Sequence, residues 1–519
     1  MARVKRIVCY AVNGAGLGHV TRLVAVGKWL RRYTTLLEGR QPEIIFLTSS
    51  EATEVLDRAG FMAFKVPSKT VVRRAGVDVA SYKRLARHFI WQTLGVFEPD
   101  LLVVDTFPSG SFDELFQVLD GPMKTGLIHR RVKPEYEARP VFAAARDLYD
   151  VVVVPHRQTS GVGIACGEVL QVDREELPAP SLARARLGVS ADEDLVYVSA
   201  GGGGDPGAEQ QLRGLVEALS RRPNTHLLVG AGPLYRGARL HGPNLTWFSG
   251  PGVVELLPAC DAAVSAAGYN TFHELLYLQI PTAFFAQPKV ADDQSERIDR
   301  AAEAGACIRL SDLAGASLAV DTLLRDRAVA EACGRYLPNN GAAACARALL
   351  SPLYDRDRLA WAGELLDARL AAQIDRSSDR EDLLGRWLPR LAPPGSVRSL
   401  GSRDAFSALL SELSESAATE VRLALAGSSE RGALDRLRDQ LGWLIESGVS
   451  LALLEAAFKK YPLAQETGTR ADWLDVLLAT VTGLAKRDVR VQQAWRVFPR
   501  LVDANAAAAV DAFDVWLAR

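Results

Sequence analysis

IVCYAVNGAGLGHVTR (residues 7–22) joins a short apolar run to three alternating glycines, a histidine, a threonine and an arginine. An unbroken apolar run of this length suits a strand covered on both faces, as in a parallel sheet flanked by helices. A Rossmann dinucleotide fingerprint would need a third glycine where His19 stands and an acidic residue ending the second strand, and Glu51 is at the wrong offset for that role. A P-loop fails because no GK[ST] follows. What is left is a glycine turn, Gly14, Gly16 and Gly18, that lifts His19 to the start of a helix carrying Arg22. That position is the carboxyl edge of a first strand, where open α/β sheets bind ligands.

The same device returns at DLVYVSAGGGGDPG (residues 194–207), with a helix expected to begin near Pro206. Around the first copy, EIIFLTS, DLLVVDTF, KTGLIH and DVVVVP supply further strands. Around the second, THLLVGAG, LTWFSG, DAAVSA and PTAFFAQ do so. Strands alternating with helical patterns favour βαβ units. The economical organisation is α/β, two tandem Rossmann-like doubly wound domains over residues 1–160 and 161–350. An all-α region follows over residues 351–519, rich in Ala, Leu, Arg and Glu, whose first helix can pack on the preceding domains. Trp443, Trp473, Trp495 and Trp516 lie in amphipathic stretches of that tail and suit a core.

A chain of 519 residues is too long for one hydrophobic core. A net charge of −1 excludes an overall basic field for nucleic acid. No apolar stretch is long enough to span a bilayer, and the basic residues before the first apolar run lack a signal-peptide core. The six cysteines are scattered, without CxxC or a histidine partner, so they suit buried thiols in a cytoplasmic protein rather than a disulfide frame or metal site.

Chemistry concentrates at strand ends. An imidazole at His19 can serve as a general base near neutral pH or can satisfy a helix end. Asp105, closing DLLVVD, can orient such a base, or can turn the chain and cap a helix expected over residues 112–119. Ser199, Gly201, Gly202, Gly203 and Gly204 let backbone amides close on an anion, a diphosphate above all. In DAAVSAAGYNTFHELLYLQIPTAFFAQPKVADDQ (residues 261–294), Gly268 and Asn270 turn the chain toward a helix bearing His273 and Glu274. Thr271-x-x-Glu274 has capping-box spacing, and Gln294 falls in a first helical turn.

Taken in order, these segments resemble GT-B glycosyltransferases over residues 4–350, most closely over 261–305. The likeness is greatest to the MurG-like group, which moves N-acetylglucosamine onto a lipid-linked precursor. A group of bacterial predicted glycosyltransferases also shares GxGHxxR and PDLLVVDTFPSG. The resemblance implies a GT-B fold and a nucleotide-sugar donor held mainly by the second domain, with no metal or other cofactor. It places a ribose-binding carboxylate at Glu274 and a diphosphate loop at residues 199–204. Donor-sugar contacts fall on Asp293 and Gln294, and the N-terminal loop histidine on His19. Two departures bear on the donor sugar: Asp205 follows a plain glycine run where Ser and Gln are usual, and Asp293–Gln294 replaces a Gln-Gln pair.

The function expected is therefore inverting, metal-independent transfer of a GlcNAc-like hexose, from a UDP-sugar, to an unknown acceptor hydroxyl. His19 is the expected base and Asp105 its partner. A nucleotide-sugar hydrolase of the same fold is the alternative, as is a silent nucleotide-sugar binder with a partner-binding tail (residues 376–519). The acceptor side has a basic cluster, Arg73, Arg74, Lys83, Arg84, Arg87, Arg130 and Arg131. It can meet an anionic lipid headgroup at the inner membrane face, a phosphorylated acceptor, or water.

Overall fold

Near-continuous apolar runs become the strands of two parallel sheets. The computed structural model describes residues 3–12, 18–50, 53–130, 134–157, 162–232, 235–250, 252–288, 293–376 and 384. The first sheet contains β1 (Arg6–Ala11), β2 (Glu43–Thr48), β3 (Met62–Lys65), β4 (Leu101–Asp105), β5 (Lys124–Ile128), β6 (Val151–Val154) and β7 (Ile164–Ala165). Their order is 3-2-1-4-5-6-7, and every neighbouring pair is parallel. The second contains β8 (Asp194–Ser199), β9 (Thr225–Gly230), β10 (Leu245–Phe248), β11 (Ala262–Ala266), β12 (Thr282–Phe285) and β13 (Ile308–Arg309). Its order, 10-9-8-11-12-13, is the same winding, again all parallel. These are two Rossmann-like domains, the fold class expected from the sequence.

The winding fixes where ligands can go. In each sheet the chain leaves the central strand in one direction and later returns on its other side, so a crevice opens between β1 and β4 and between β8 and β11. Tyr10 pairs with Val104, and Ser199 with Ser265, so the loops after these strands emerge side by side. Each crevice is roofed by a helix opening: α1 (Gly18–Glu38) after β1, α2 (Ala208–Leu219) after β8 and α3 (Tyr269–Tyr277) after β11.

Both sheets belong to one compact unit, residues 1–30 and 43–355. Within it α5 (Ala342–Leu349), which follows α4 (Gln294–Glu303), returns to the first sheet. Gly126 of β5 makes room there, because a Cβ would stand 2.6 Å from the Leu349 side chain. A second unit comprises Arg31–Pro42 and the residues from Arg356. In it, Arg358 of the helix Arg356–Leu365 donates to the Leu37 carbonyl at 2.7 Å, and Arg32 pairs with Asp375 of the helix Ala368–Arg376. The rest of the expected tail module, the four tail tryptophans included, lies outside the described residues.

Three details differ from the sequence-based expectation. The helix expected near Pro206 begins two residues later, with Gly207 at its N-cap. The helix expected over residues 112–119 is one turn, Phe116–Leu119. The strands β3, β7 and β13 are short and partly exposed, so they leave no apolar run in the sequence.

Candidate active site

Asp105 closes β4, and its side chain is wholly excluded from solvent. It does not cap a helix. Its Oδ2 pairs with Nδ1 of His19, the second residue of α1. Arg22 lies three residues further along the same helix face, and its Nη1 spans both carboxylate oxygens at 2.7 and 3.0 Å. The Thr106 hydroxyl donates to Oδ2 at 3.1 Å. Thr106 takes φ 68°, the left-handed region, unusual for a β-branched residue and a local strain. The sequence-predicted pair is thus a triad, with Arg22 as its third member.

Burial alone would raise the Asp105 pKa, but the Arg22 charge, and after it His19, outweigh burial and bring it to about 2. The stability this carboxylate contributes is present above its unfolded pKa near 4 and is lost as pH falls through about 2. Burial lowers the His19 pKa; Asp105 opposes the shift, Arg22 and Arg130 add to it, and the net direction is down. The imidazole is therefore neutral, donates from Nδ1 to Asp105, and keeps its lone pair on Nε2, for which no described residue provides a hydrogen bond. Gly14 and Gly16 lie outside the described residues; Gly18 opens α1, and a Cβ there would lie 3.9 Å from the Asn270 amide oxygen.

On the second sheet, Ser199 braces the glycine loop from within. Its hydroxyl donates to the Gly230 carbonyl at 3.0 Å and accepts from the Gly201 amide at 3.1 Å. Gly201 and Gly203 adopt φ 78° and 80° and are buried, whereas Gly202 and Gly204 are exposed. A Cβ on Gly203 would stand 2.5 Å from the Ala231 carbonyl and the Tyr235 amide; one on Gly202 would meet nothing within 4 Å. Two glycines fold the loop, and the other two present its backbone.

Gln287, just beyond β12, ties the neighbouring segments to this loop. Its Nε2 donates to the Ala200 carbonyl at 3.1 Å and to Gln211 Oε1 at 2.6 Å, and its amide donates to Gln294 Oε1 at 2.8 Å. Gln294 is thus buried and holds backbone. Asp293 caps α4, accepting from the Glu296 amide at 3.0 Å. Gln287 was legible only as a polar residue ending an apolar strand.

The α3 helix begins at Tyr269 behind Gly268, with no side-chain cap. Thr271 therefore sits inside the helix, and the capping box suggested by its spacing to Glu274 does not form. Glu274 is buried, its carboxylate has no hydrogen-bond partner among the described residues, and burial alone lifts its pKa to about 7. It also opposes ionisation of the buried Tyr197 side chain. His273 donates from Nδ1 to the Tyr269 carbonyl at 2.7 Å, and burial holds it neutral.

The two helix openings meet. Asn270 Nδ2 donates to Thr21 Oγ1, and the Tyr269 ring lies 5.1 Å from the Arg22 guanidinium, 5.4 Å from that of Arg297 and 5.9 Å from that of Arg130. The basic cluster expected on the acceptor side divides. Arg130 joins this gap, Arg87 packs on Trp91 and bonds the Phe112 carbonyl, and Arg73, Arg74, Lys83 and Arg84 are exposed; Arg131 is outside the described residues. Among the described residues no three His, Cys, Asp or Glu side chains gather as a metal site requires, and no helix is long and apolar enough to cross a membrane.

No protein-family model matches the sequence. No curated protein matches it either. Solved structures similar to the chain include spinosyn rhamnosyltransferase SpnG (16% identity, 64% of this chain and 98% of that one, TM-score 0.47). Two others are SnogD, a glycosyltransferase from Streptomyces nogalater (15%, 66% and 98%, 0.49), and CalG4, the calicheamicin glycosyltransferase (16%, 68% and 100%, 0.48). Identities this low leave the activity to be argued from the site itself.

Two measurements check the geometry. Gly203→Ala will cost roughly 2 kcal/mol or more in urea unfolding, whereas Gly202→Ala will stay within about 0.5 kcal/mol of wild type; equal costs would contradict the division of labour in the loop. Because the Glu274 pKa is raised on folding, the native state loses stability as pH climbs from about 4.5 to about 7. Glu274→Gln escapes that loss, so it will be more stable than wild type by roughly 2–4 kcal/mol at pH 8 and no more stable at pH 4.5. Parallel stability curves for the two proteins would refute the raised pKa.

Proposed function

We propose that the protein transfers a sugar, a GlcNAc-like hexose, from a nucleotide diphosphate sugar, a UDP-sugar, to an acceptor hydroxyl, with inversion and without a metal. The observation that carries this reading is the nearly buried Glu274 carboxylate, which has no hydrogen-bond partner among the described residues. It lies one turn beyond an uncapped helix opening that touches the helix bearing a neutral, oriented His19. A buried carboxylate without a donor is costly unless a ligand brings one. Two ribose hydroxyls would, each donating to one oxygen.

In this mechanism Nε2 of His19 takes the proton of the acceptor hydroxyl as that oxygen attacks the anomeric carbon. The bond to the nucleotide phosphate breaks on the opposite face, and the electron pair leaves with the diphosphate. Asp105 holds the ring by Nδ1 and stabilises the imidazolium. Amides of the loop at Gly202 and Gly204 and the openings of α2 and α3, with Gly268, Asn270 and Thr271, would stabilise the leaving charge. Asp293 and Gln294 stand where the resemblance puts the donor sugar. A lipid-linked or otherwise anionic acceptor would meet Arg130, a cytoplasmic site at the inner membrane face would suit such an acceptor, and the tail would serve a protein partner.

The test is turnover of a panel of UDP-, GDP- and dTDP-sugars, with EDTA, with and without a cell-extract acceptor fraction. Acceptor-dependent transfer is expected, reduced at least about 100-fold by His19→Ala with donor affinity kept. Rapid sugar release without acceptor would replace transfer by hydrolysis, and binding without turnover would leave only a silent binder. Glu274→Ala will weaken nucleotide binding by roughly 1–3 kcal/mol. Wild-type affinity will fall as pH drops below about 7, because the protonated carboxyl loses one acceptor oxygen; an affinity flat from pH 5.5 to 8.5 removes the ribose assignment.

A further inference from the structure

Arg22 is almost wholly buried, yet only Nη1 has hydrogen-bond partners: Nε and Nη2 are buried with none, and the guanidinium otherwise lies against the Tyr269 ring. A guanidinium so placed is a poor device for stability alone, since a buried ion pair is often replaceable by apolar packing at no loss. What it does supply is a fixed charge one helical turn from the base. We infer that Arg22 is a positioning residue whose charge, locked onto Asp105, keeps the His19 imidazole neutral and its Nε2 lone pair free. The inference rests on the proposed role of His19 as the base.

Charge in this buried space must come close to balance. Asp105 carries −1 and Arg22 +1, so with neutral His19 the triad sums to zero, and protonating His19 would leave a net +1 buried. Without Arg22 the sum is −1, and protonation of His19 would restore neutrality. The same bond to Asp105 would then turn the base into a resting imidazolium. The groups packed around the triad do not reverse this sign. Arg130, after β5, disfavours the imidazolium directly. From α3 and α4, Tyr269 stays protonated, His273 is neutral and Arg297 is cationic. Glu168 acts on Tyr269, with its own carboxyl pushed up by burial. Cys345 of α5 stays a thiol. A histidine base at a water-free strand edge thus needs a cation beyond its carboxylate as well as the carboxylate itself.

The test needs no substrate. In the 15N-labelled full-length protein, the His19 ring signals are assigned by their loss in His19→Gln, which seven histidines make practicable, and are titrated from pH 5 to 9. In wild type the ring stays a neutral Nδ1–H tautomer below its ordinary pKa. In Arg22→Met the imidazolium should persist roughly one pH unit or more higher. Arg22→Lys, which keeps the charge, should stay near wild type. Arg22→Met with Asp105→Asn, which removes both charges and spares the fold an unpaired carboxylate, should return the ring to the neutral form. A folded Arg22→Met with an unshifted titration overturns the inference, and so does an Arg22→Lys shift as large as that of Met. Because these readings need no sugar, their failure leaves glycosyl transfer standing, and failure of transfer leaves them standing. If both hold, the acid limb of kcat moves up by the same interval in Arg22→Met while donor KM stays.

Discussion

A carboxylate held ionised where no water reaches it is the constraint from which the candidate site follows. Asp105 can stay charged at the end of β4 only if donors replace its hydration, and a lone buried anion would cost several kcal/mol. One helix supplies two of the donors, His19 and Arg22, three residues apart on α1, and the Thr106 hydroxyl supplies a third. That helix can reach Asp105 only because β1 and β4 are neighbours with their carboxyl ends level. Gly18 is the first residue of that helix. Removing the adjacency of β1 and β4 would remove the base, so the winding of the sheet and the acidity of one side chain are a single fact.

The second sheet repeats the geometry with the opposite chemistry. Its crevice offers backbone amides and a carboxylate short of donors instead of a charge already matched. Gly201 and Gly203 spend their conformational freedom on the turn itself, which leaves Gly202 and Gly204 bare toward the gap. Gln287 makes this loop rigid by joining β12, α2 and α4 to it. The loop is therefore prepared before any anion arrives, which is the condition under which amide dipoles stabilise developing charge most effectively.

The architecture was legible because parallel strands buried on both faces must be apolar along their length, and IVCYAV, DLLVVD and DLVYVS are. The edge strands β3, β7 and β13 escaped notice since an edge need not be apolar or long. The His19–Asp105 pairing followed from the winding rule, which places both at one sheet edge. Arg22 was named with the glycine turn and as the arginine of GxGHxxR, but its pairing with Asp105 was not foreseen, for that contact is made in space. The capping-box spacing at Thr271 and Glu274 misled because spacing says nothing about where a helix starts, and Gly268 starts this one earlier. Glu274 was singled out by the resemblance, while its spacing to Thr271 offered a cap as the other reading.

Asp105 and Glu274 show why burial by itself assigns no role. Asp105 is wholly buried and Glu274 nearly so, and desolvation pushes both toward the protonated form. The Arg22 cation and the neutral His19 imidazole close on Asp105 and reverse the push, so it stays ionised until pH falls to about 2. No described residue hydrogen-bonds the Glu274 carboxylate, and burial lifts its pKa to about 7. A fold that needed both groups merely for stability would have matched both, since an unmatched buried carboxylate weakens the native state above neutral pH. The asymmetry instead separates a finished half-site from an unfinished one. On the proposed reading the completed triad faces the acceptor, and a bound ribose would supply the hydrogen bonds that the described residues do not give Glu274.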